Sequence, residues 1–224
     1  MTKISESLAA VRERVRKAAA EAQRDVRSIR LLAVRKTWQA ECMSQAIAAG
    51  QRDFGENHVQ DGVKHIFAVN NPALEWHFVG SLQSDKSRMV AEHFQWVHRV
   101  DCIKQAHRLS AMRPSALPPL NICLQVNISG EVSSYGVIPY EVAELAHQVS
   151  VLPRLRLRGL MCIPEITAEN TVVRQCFAAV RHLRDDLNEA GLALDTLSMG
   201  MSDDLEIAIM EGATIVRMGD AVFD

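Results

Sequence analysis

Residues 29–57, IRLLAVRKTWQAECMSQAIAAGQRDFGEN, decide the fold. The stretch opens on a short, largely apolar run from Ile29 to Val34, the pattern of a strand covered on both faces. It breaks at Arg35 and Lys36, two cations side by side. A helix is predicted from Gln39 to Ala49, closed by Gly50 where a left-handed C-cap falls. RDFGEN then reads as a second short strand, broken at Gly55. Strand, helix and strand in so few residues require the two strands to run parallel, because the helix carries the chain back to its starting end.

The same cycle repeats to the end of the chain. Helices are predicted around His58–Ala68, Asp85–Glu92, Ile103–Met112, Pro139–Val151, Thr171–Ala190 and Leu205–Glu211. Between and after them fall the strand-like runs LEWHFVG, WVHRV, LNICLQVNI, LRLRGLMCI, LDTLSMG and TIVRMG. About eight strands alternating with helices predict an α/β protein closed as a (β/α)8 TIM barrel, with a doubly wound open sheet as the alternative. The first helix, residues 2–24, repeats Ile4, Leu8, Val11, Val15 and Ala18 at spacings of three and four, so it is expected to pack on the barrel. The 224 residues are few for a barrel, which usually takes about 250. One domain spanning 1–224 with short loops is therefore expected, without a second domain.

Composition excludes several classes. The 25 basic and 27 acidic side chains leave a formal charge of −2, which gives no general attraction to nucleic acid or an anionic membrane. The five cysteines include no C-x-x-C pair, so reduced thiols in the cytoplasm are expected rather than a disulfide framework or structural zinc. No apolar run reaches the roughly 18 residues that span a bilayer. No GxGxxG, GxxxxGK[ST] or GxSxG motif occurs, and no histidine and carboxylate spacing suggests a metal.

In a barrel of parallel strands, chemistry belongs at the C-terminal strand ends. Reading those ends in order brings Lys36, Asn57, Gly80 to Gln83, Asp101, Asn127, Met161 to Pro164, Met199 to Ser202, and Arg217 to Gly219 onto one rim. A lysine at a strand end is ordinarily just solvated; at a barrel mouth its amine can capture an aldehyde as a Schiff base. Gly200 and Ser202, just ahead of a helix, suit either a helix cap or an anion site. Arg217 inside an apolar strand needs an acceptor, and Glu56 is one structural candidate. Gly219 would let the backbone approach a ligand closely. His77, in EWHFVG, suits a satisfied core position as well as a ligand contact. RLRLRGL, residues 154–160, reads as a solvated strand face.

The blocks LLAVRKT, AGQRDFGENHVQ, EWHFVGSLQSDKSR, LPPLNICLQVNIS, LPRLRLRGLMCIP, DTLSMGMSDDLEIAI and GATIVRMGDAVF together resemble the pyridoxal phosphate homeostasis protein family, most closely its enterobacterial members. The resemblance covers nearly the whole chain in order. It implies a barrel of the alanine racemase N-terminal type that binds pyridoxal 5′-phosphate. By this resemblance Lys36 is the Schiff-base lysine and Arg217 faces the pyridine nitrogen. Ser202 and Gly219 bind phosphate, Asn57 and His77 line the same rim, and Met199 packs near the ring. The resemblance further implies a carrier or regulator of the cofactor with little or no turnover, monomeric and cytoplasmic, which hands the cofactor transiently to apoenzymes that use it. A racemase or lyase, or a degenerate protein without cofactor, are the competing readings.

Four positions depart from the family pattern. Arg35 replaces a serine, Asp85 an asparagine, Ser134 a lysine, and Asp220 a small residue next to the phosphate. A carboxylate ~4 Å from a phosphate repels it by about 1 kcal/mol in water and by more where the dielectric is lower. Asp220 is therefore expected to weaken cofactor binding.

Overall fold

The computed structural model of the chain describes residues 2–35, 38–129, 135–165 and 169–219. Lys36, Ser134 and Asp220 lie outside the described residues. Eight strands pair in parallel and in chain order: β1 (Arg30–Val34), β2 (Asp53–Glu56), β3 (Glu75–Phe78), β4 (Trp96–Val100), β5 (Leu120–Gln125), β6 (Leu155–Met161), β7 (Thr196–Ser198) and β8 (Ile215–Met218). The sheet closes where β8 pairs with β1, with Leu32 opposite Arg217. The closed barrel, not the open doubly wound sheet, is the architecture.

Helices α2 (Ala40–Ala48), α3 (Val59–Val69), α4 (Ser87–His93), α5 (Ile103–Met112), α6 (Val142–Ser150), α7 (Asn170–Glu189) and α8 (Leu205–Met210) alternate with the strands, and α1 (Lys3–Glu21) precedes β1. Gly50 ends the α2 turn at φ +85°, the left-handed region that a side chain disfavours. The capped α1 buries Ile4, Leu8, Val11, Val15 and Ala18 in the main core. It packs against α2 and α8. Arg12 Nη1 donates to the Ala49 carbonyl at 2.7 Å. Arg14 pairs with Glu206 of α8 at 2.8 Å and donates from Nη2 to the Ser202 carbonyl at 2.8 Å.

Strand alternation divides the core in two. Outward residues such as Ala33, Phe54, Trp76, Phe78, Val97, Leu124, Leu197 and Val216 join the helices in the main apolar layer. Burying side chains of this size contributes about 1.5–3 kcal/mol each. Inward residues Leu32, Val79, Trp96, Cys123, Met161 and Ile215 form a smaller apolar cluster inside the barrel.

Two bulges flank β5. On β4, Val97 opposes Ile122 and Val100 opposes Leu124, so His98 and Arg99 together face the single residue Cys123. On β6, Leu157 opposes Ile122 and Gly159 opposes Cys123, which inserts Arg158. Each bulge turns two consecutive positions toward the interior, His98 and Arg99 on β4 and Arg158 and Gly159 on β6, against the alternation of a regular strand. The second needs glycine: a Cβ at Gly159 would lie 1.7 Å from the Thr196 carbonyl oxygen. Arg158 consequently sits over the Trp96 ring at 4.7 Å and pairs with Asp195 at 2.8 Å, closing the N-terminal end of the barrel. This corrects the reading of RLRLRGL as a wholly solvated face, which holds for the exposed Arg154 and Arg156 but not for Arg158.

Candidate binding site at the C-terminal mouth of the barrel

A cavity of about 250 Å³ opens at the C-terminal strand ends, lined by Val34, Asn57, Val79, Arg99, Met161, Ile163, Met201, Ser202, Arg217 and Gly219. Asn57, Ser202, Arg217 and Gly219, distant in sequence, meet there as the strand-end reading requires. Val34 is the inward residue of β1 nearest the mouth, and Lys36 follows two positions later in the sequence. A second cavity of about 340 Å³ adjoins the first, sharing Asn57 and Arg99 and adding Gly80, Ser81, Gln83 and Lys86.

Arg217 is 6% exposed. Its Nη1 donates to the Ser198 carbonyl and hydroxyl, both at 2.8 Å, and its Nη2 to the Cys162 carbonyl at 2.9 Å. Burial pulls its pKa down from the ordinary arginine value, yet an arginine this basic stays charged. The partner suggested by sequence, Glu56, is not used. Alternation turns Glu56 outward, where its Oε1 lies 2.8 Å from His65 Nδ1. Burial pushes the Glu56 carboxyl up to about 8 and the His65 pKa down. At neutral pH the two therefore share a proton as neutral partners.

Arg99 was not singled out by sequence reasoning, because alternation after His98 would turn it away; the bulge reverses that. Its Nε donates to Gln125 Oε1 at 2.8 Å, and its guanidinium lies 5.2 Å from the Tyr135 ring. The signal available in WVHRV was two polar residues inside an apolar strand.

The turn after β7 is shaped by Gly200, at φ +95°, where a Cβ would also lie 2.5 Å from Ala208 Cβ. Asp204 caps that turn by accepting from the Met201 N–H at 2.5 Å. Neither Asp203 nor Asp204 lines the cavity. At Gly219 a Cβ would approach the Val34 carbonyl oxygen to 3.1 Å, narrowing the mouth between β1 and β8.

Two expected rim residues sit elsewhere. His77 is fully buried on the barrel axis below the mouth; its Nε2 meets Asp53 Oδ1 at 3.3 Å and its Nδ1 meets His98 Nε2 at 2.9 Å. Val79, two residues on, reaches the cavity in its place. Met199 is fully buried in the outer apolar layer, because Ser198 takes the inward position. Met201, beyond the Gly200 turn, lines the cavity instead.

The lining thus sets two guanidinium groups, an amide and a hydroxyl against the apolar walls of Val34, Val79, Met161, Ile163 and Met201, with no carboxylate among the described residues. That donor set and the open backbone at Gly219 fit a flat, apolar ring carrying negative charge. At the other end of the barrel Asp53, Glu75 and His77 bring ligand atoms within 4.8 Å of one another. Arg30 already bridges those two carboxylates, at 3.2 and 2.6 Å. Among the described residues, no helix is long and apolar enough to cross a membrane.

Residues 7–224 match the family described as alanine racemase, N-terminal domain. A protein of Pseudomonas aeruginosa named pyridoxal phosphate homeostasis protein is 55% identical over 223 residues, covering 100% of this chain and 96% of its own. The protein of the same name in Escherichia coli is 49% identical, covering 100% of this chain and 97% of its own. PipY of Synechococcus elongatus, solved with PLP bound, superposes with a TM-score of 0.85 at 34% identity over 99% of this chain and 100% of its own. Barrel closure, a cationic mouth and similarity along the full chain agree: the chain belongs to the pyridoxal phosphate homeostasis protein family, within the alanine racemase N-terminal domain class.

Proposed function

We propose that the chain binds pyridoxal 5′-phosphate in the mouth of the barrel and serves as a carrier or regulator of that cofactor, with little or no turnover. The observation that carries this reading is the cavity itself. Two cations and no carboxylate among its described lining residues surround an apolar slot, two positions before Lys36. In this reading Lys36 captures the aldehyde, which supplies a reversible covalent hold when the cofactor is bound. Ser202 and the Gly219 backbone receive the phosphate, and Asn57 borders the ring.

Arg217 spends three N–H bonds on Ser198 and Cys162. Its Nε–H and one Nη2 proton remain unclaimed by the described residues, and they suit an acceptor such as the ring nitrogen. A permanent cation there keeps that nitrogen unprotonated and weakens the ring as an electron sink. Turnover of an amino acid needs a second proton carrier opposite the lysine. Among the described lining residues, arginine is the only ionisable type. The relatives' shared name and the PLP-bound PipY support the same reading.

The proposal includes residues 1–224 acting as one unit, as a cytoplasmic monomer that passes cofactor to apoenzymes. Borohydride reduction of the protein mixed with pyridoxal phosphate, followed by peptide mass mapping, tests it. The expected adduct is on Lys36; an adduct elsewhere, or none, overturns the assignment. Racemisation or lysis of alanine at ordinary enzyme rates would overturn the carrier reading.

A further inference from the structure

A continuous line of hydrogen bonds runs down the barrel axis from the cavity to the opposite end. Arg217 Nη1 reaches Ser198 Oγ at 2.8 Å, and Ser198 Oγ reaches His98 Nδ1 at 2.8 Å. His98 Nε2 then meets His77 Nδ1 at 2.9 Å, and His77 Nε2 meets Asp53 Oδ1 at 3.3 Å. Ser198, His98 and His77 are each 0% exposed. Five residues from five strands, β2, β3, β4, β7 and, at the head, β8, share this one path.

The two ends fix its direction. A guanidinium can only donate and a carboxylate only accept. Asp53 is held as a carboxylate by His77 and by Arg30, whose Nη1 lies 3.2 Å away. Every group between must accept on one side and donate on the other. Ser198 accepts from Arg217 and donates to His98 Nδ1. His98, neutral and protonated on Nε2, donates to His77 Nδ1. His77, also neutral and protonated on Nε2, donates to Asp53. No side-chain polar atom of Ser198, His98 or His77 is left unmet, which matters because an unmet buried donor costs about 1–3 kcal/mol.

We infer that Asp53, His77, His98 and Ser198 are positioning residues for Arg217: their one-way line locks the guanidinium's orientation and thereby tunes the charge that a ring in the cavity meets. The ligand half of this inference rests on the proposed cofactor; the line itself does not. The charged and titratable groups facing the two histidines are Asp53 on β2, Glu75 on β3, Arg30 on β1 and Arg217 on β8. A proton added to His77 would reverse the His98 tautomer. Ser198 would then accept from both neighbours, and its own proton would turn away from the line. The histidine pair is thus a point where the far end of the barrel acts on the cavity.

The test uses the full chain labelled with nitrogen-15. Without cofactor, near neutral pH, His77 and His98 are expected as neutral rings protonated on Nε2, and the Arg217 guanidinium protons as separate, slowly exchanging signals. Ser198→Ala should shift His98 Nδ1 and collapse the Arg217 signals; Ser198→Thr, which keeps the hydroxyl, should restore both. An Nδ1-protonated His98, or sharp Arg217 signals in Ser198→Ala, overturns the inference whether or not cofactor binds. Asp53→Leu, which removes the acceptor at the remote end, supplies the same reading should Ser198→Ala fail to fold.

With pyridoxal phosphate added, the pH midpoint of the bound chromophore should move by about half a unit or more in Ser198→Ala and return in Ser198→Thr. An unchanged midpoint overturns the tuning. Failure of the unsubstituted chain to form any chromophore counts against the proposed function, while the cofactor-free spectra still decide the line.

Discussion

Arg217 bonds to two backbone carbonyls and a hydroxyl, so losing it has two separable effects. Arg217→Met keeps most of the bulk but strands the Ser198 and Cys162 carbonyls. Thermal unfolding should register a loss of about 1–3 kcal/mol, and a cofactor titration should show weaker binding on top of it. Glu56 gives a test of opposite sign. Its carboxyl ordinarily titrates at 4.5 and is raised to about 8 in the fold. Between those values the native state holds a proton that the unfolded chain has lost, so this contribution falls as pH rises. Glu56→Gln retains a hydrogen-bonding partner for His65 and cannot ionise; its stability relative to the unsubstituted chain should rise with pH and lead clearly above pH 8. The thiols differ by burial. Cys123 and Cys162, fully buried and pushed up to about 12, should resist a thiol reagent, whereas exposed Cys102 should react first. Peptide mapping after brief labelling reads this directly.

Elements were more legible in sequence than the depth and phase of their side chains. The helix expected over Ile103–Met112 has those same ends, because its apolar spacing is regular and no proline or glycine blurs it. All eight strand-like runs contain a strand, since each is a short apolar stretch between helices. Strand alternation says which way a residue such as His77 points but not how far below the mouth it lies. It failed outright at Arg99, where the β4 bulge adds a residue that no periodicity marks. At β7 only Thr196–Ser198 form the strand; Ser198 takes the inward place, so Met199 falls outward and the left-handed turn at Gly200 brings Met201 to the cavity. That turn is itself testable. Gly200→Ala forces a side chain into φ +95° and against Ala208, and strain of that kind costs about 1–3 kcal/mol. A lowered unfolding temperature with weakened cofactor capture is expected, since Ser202 sits on the same turn.

Across the molecule, the barrel interior carries a pH signature. His77 and His98 ordinarily titrate near 6.5; burial lowers the first and takes the second well below that value. As pH falls below 6.5, the unfolded chain takes up protons on these two rings and on His65 that the native state resists, so the contribution of neutral histidines, present above 6.5, is lost. Protonated Glu56 opposes this with one proton retained in the fold. Glu56→Gln should therefore steepen the acid-side loss of stability, and denaturant midpoints measured from pH 7 down to 5 read the difference. The first helix supplies a mechanical consequence. Arg14 grips the Ser202 carbonyl with Nη2 and Glu206 with both Nη2 and Nε, so whatever steadies that serine also damps fluctuations of residues 3–21. Loading the mouth should slow deuterium uptake along a segment at the far periphery of the protein, and Arg14→Ala should abolish that distant protection while leaving the mouth able to fill.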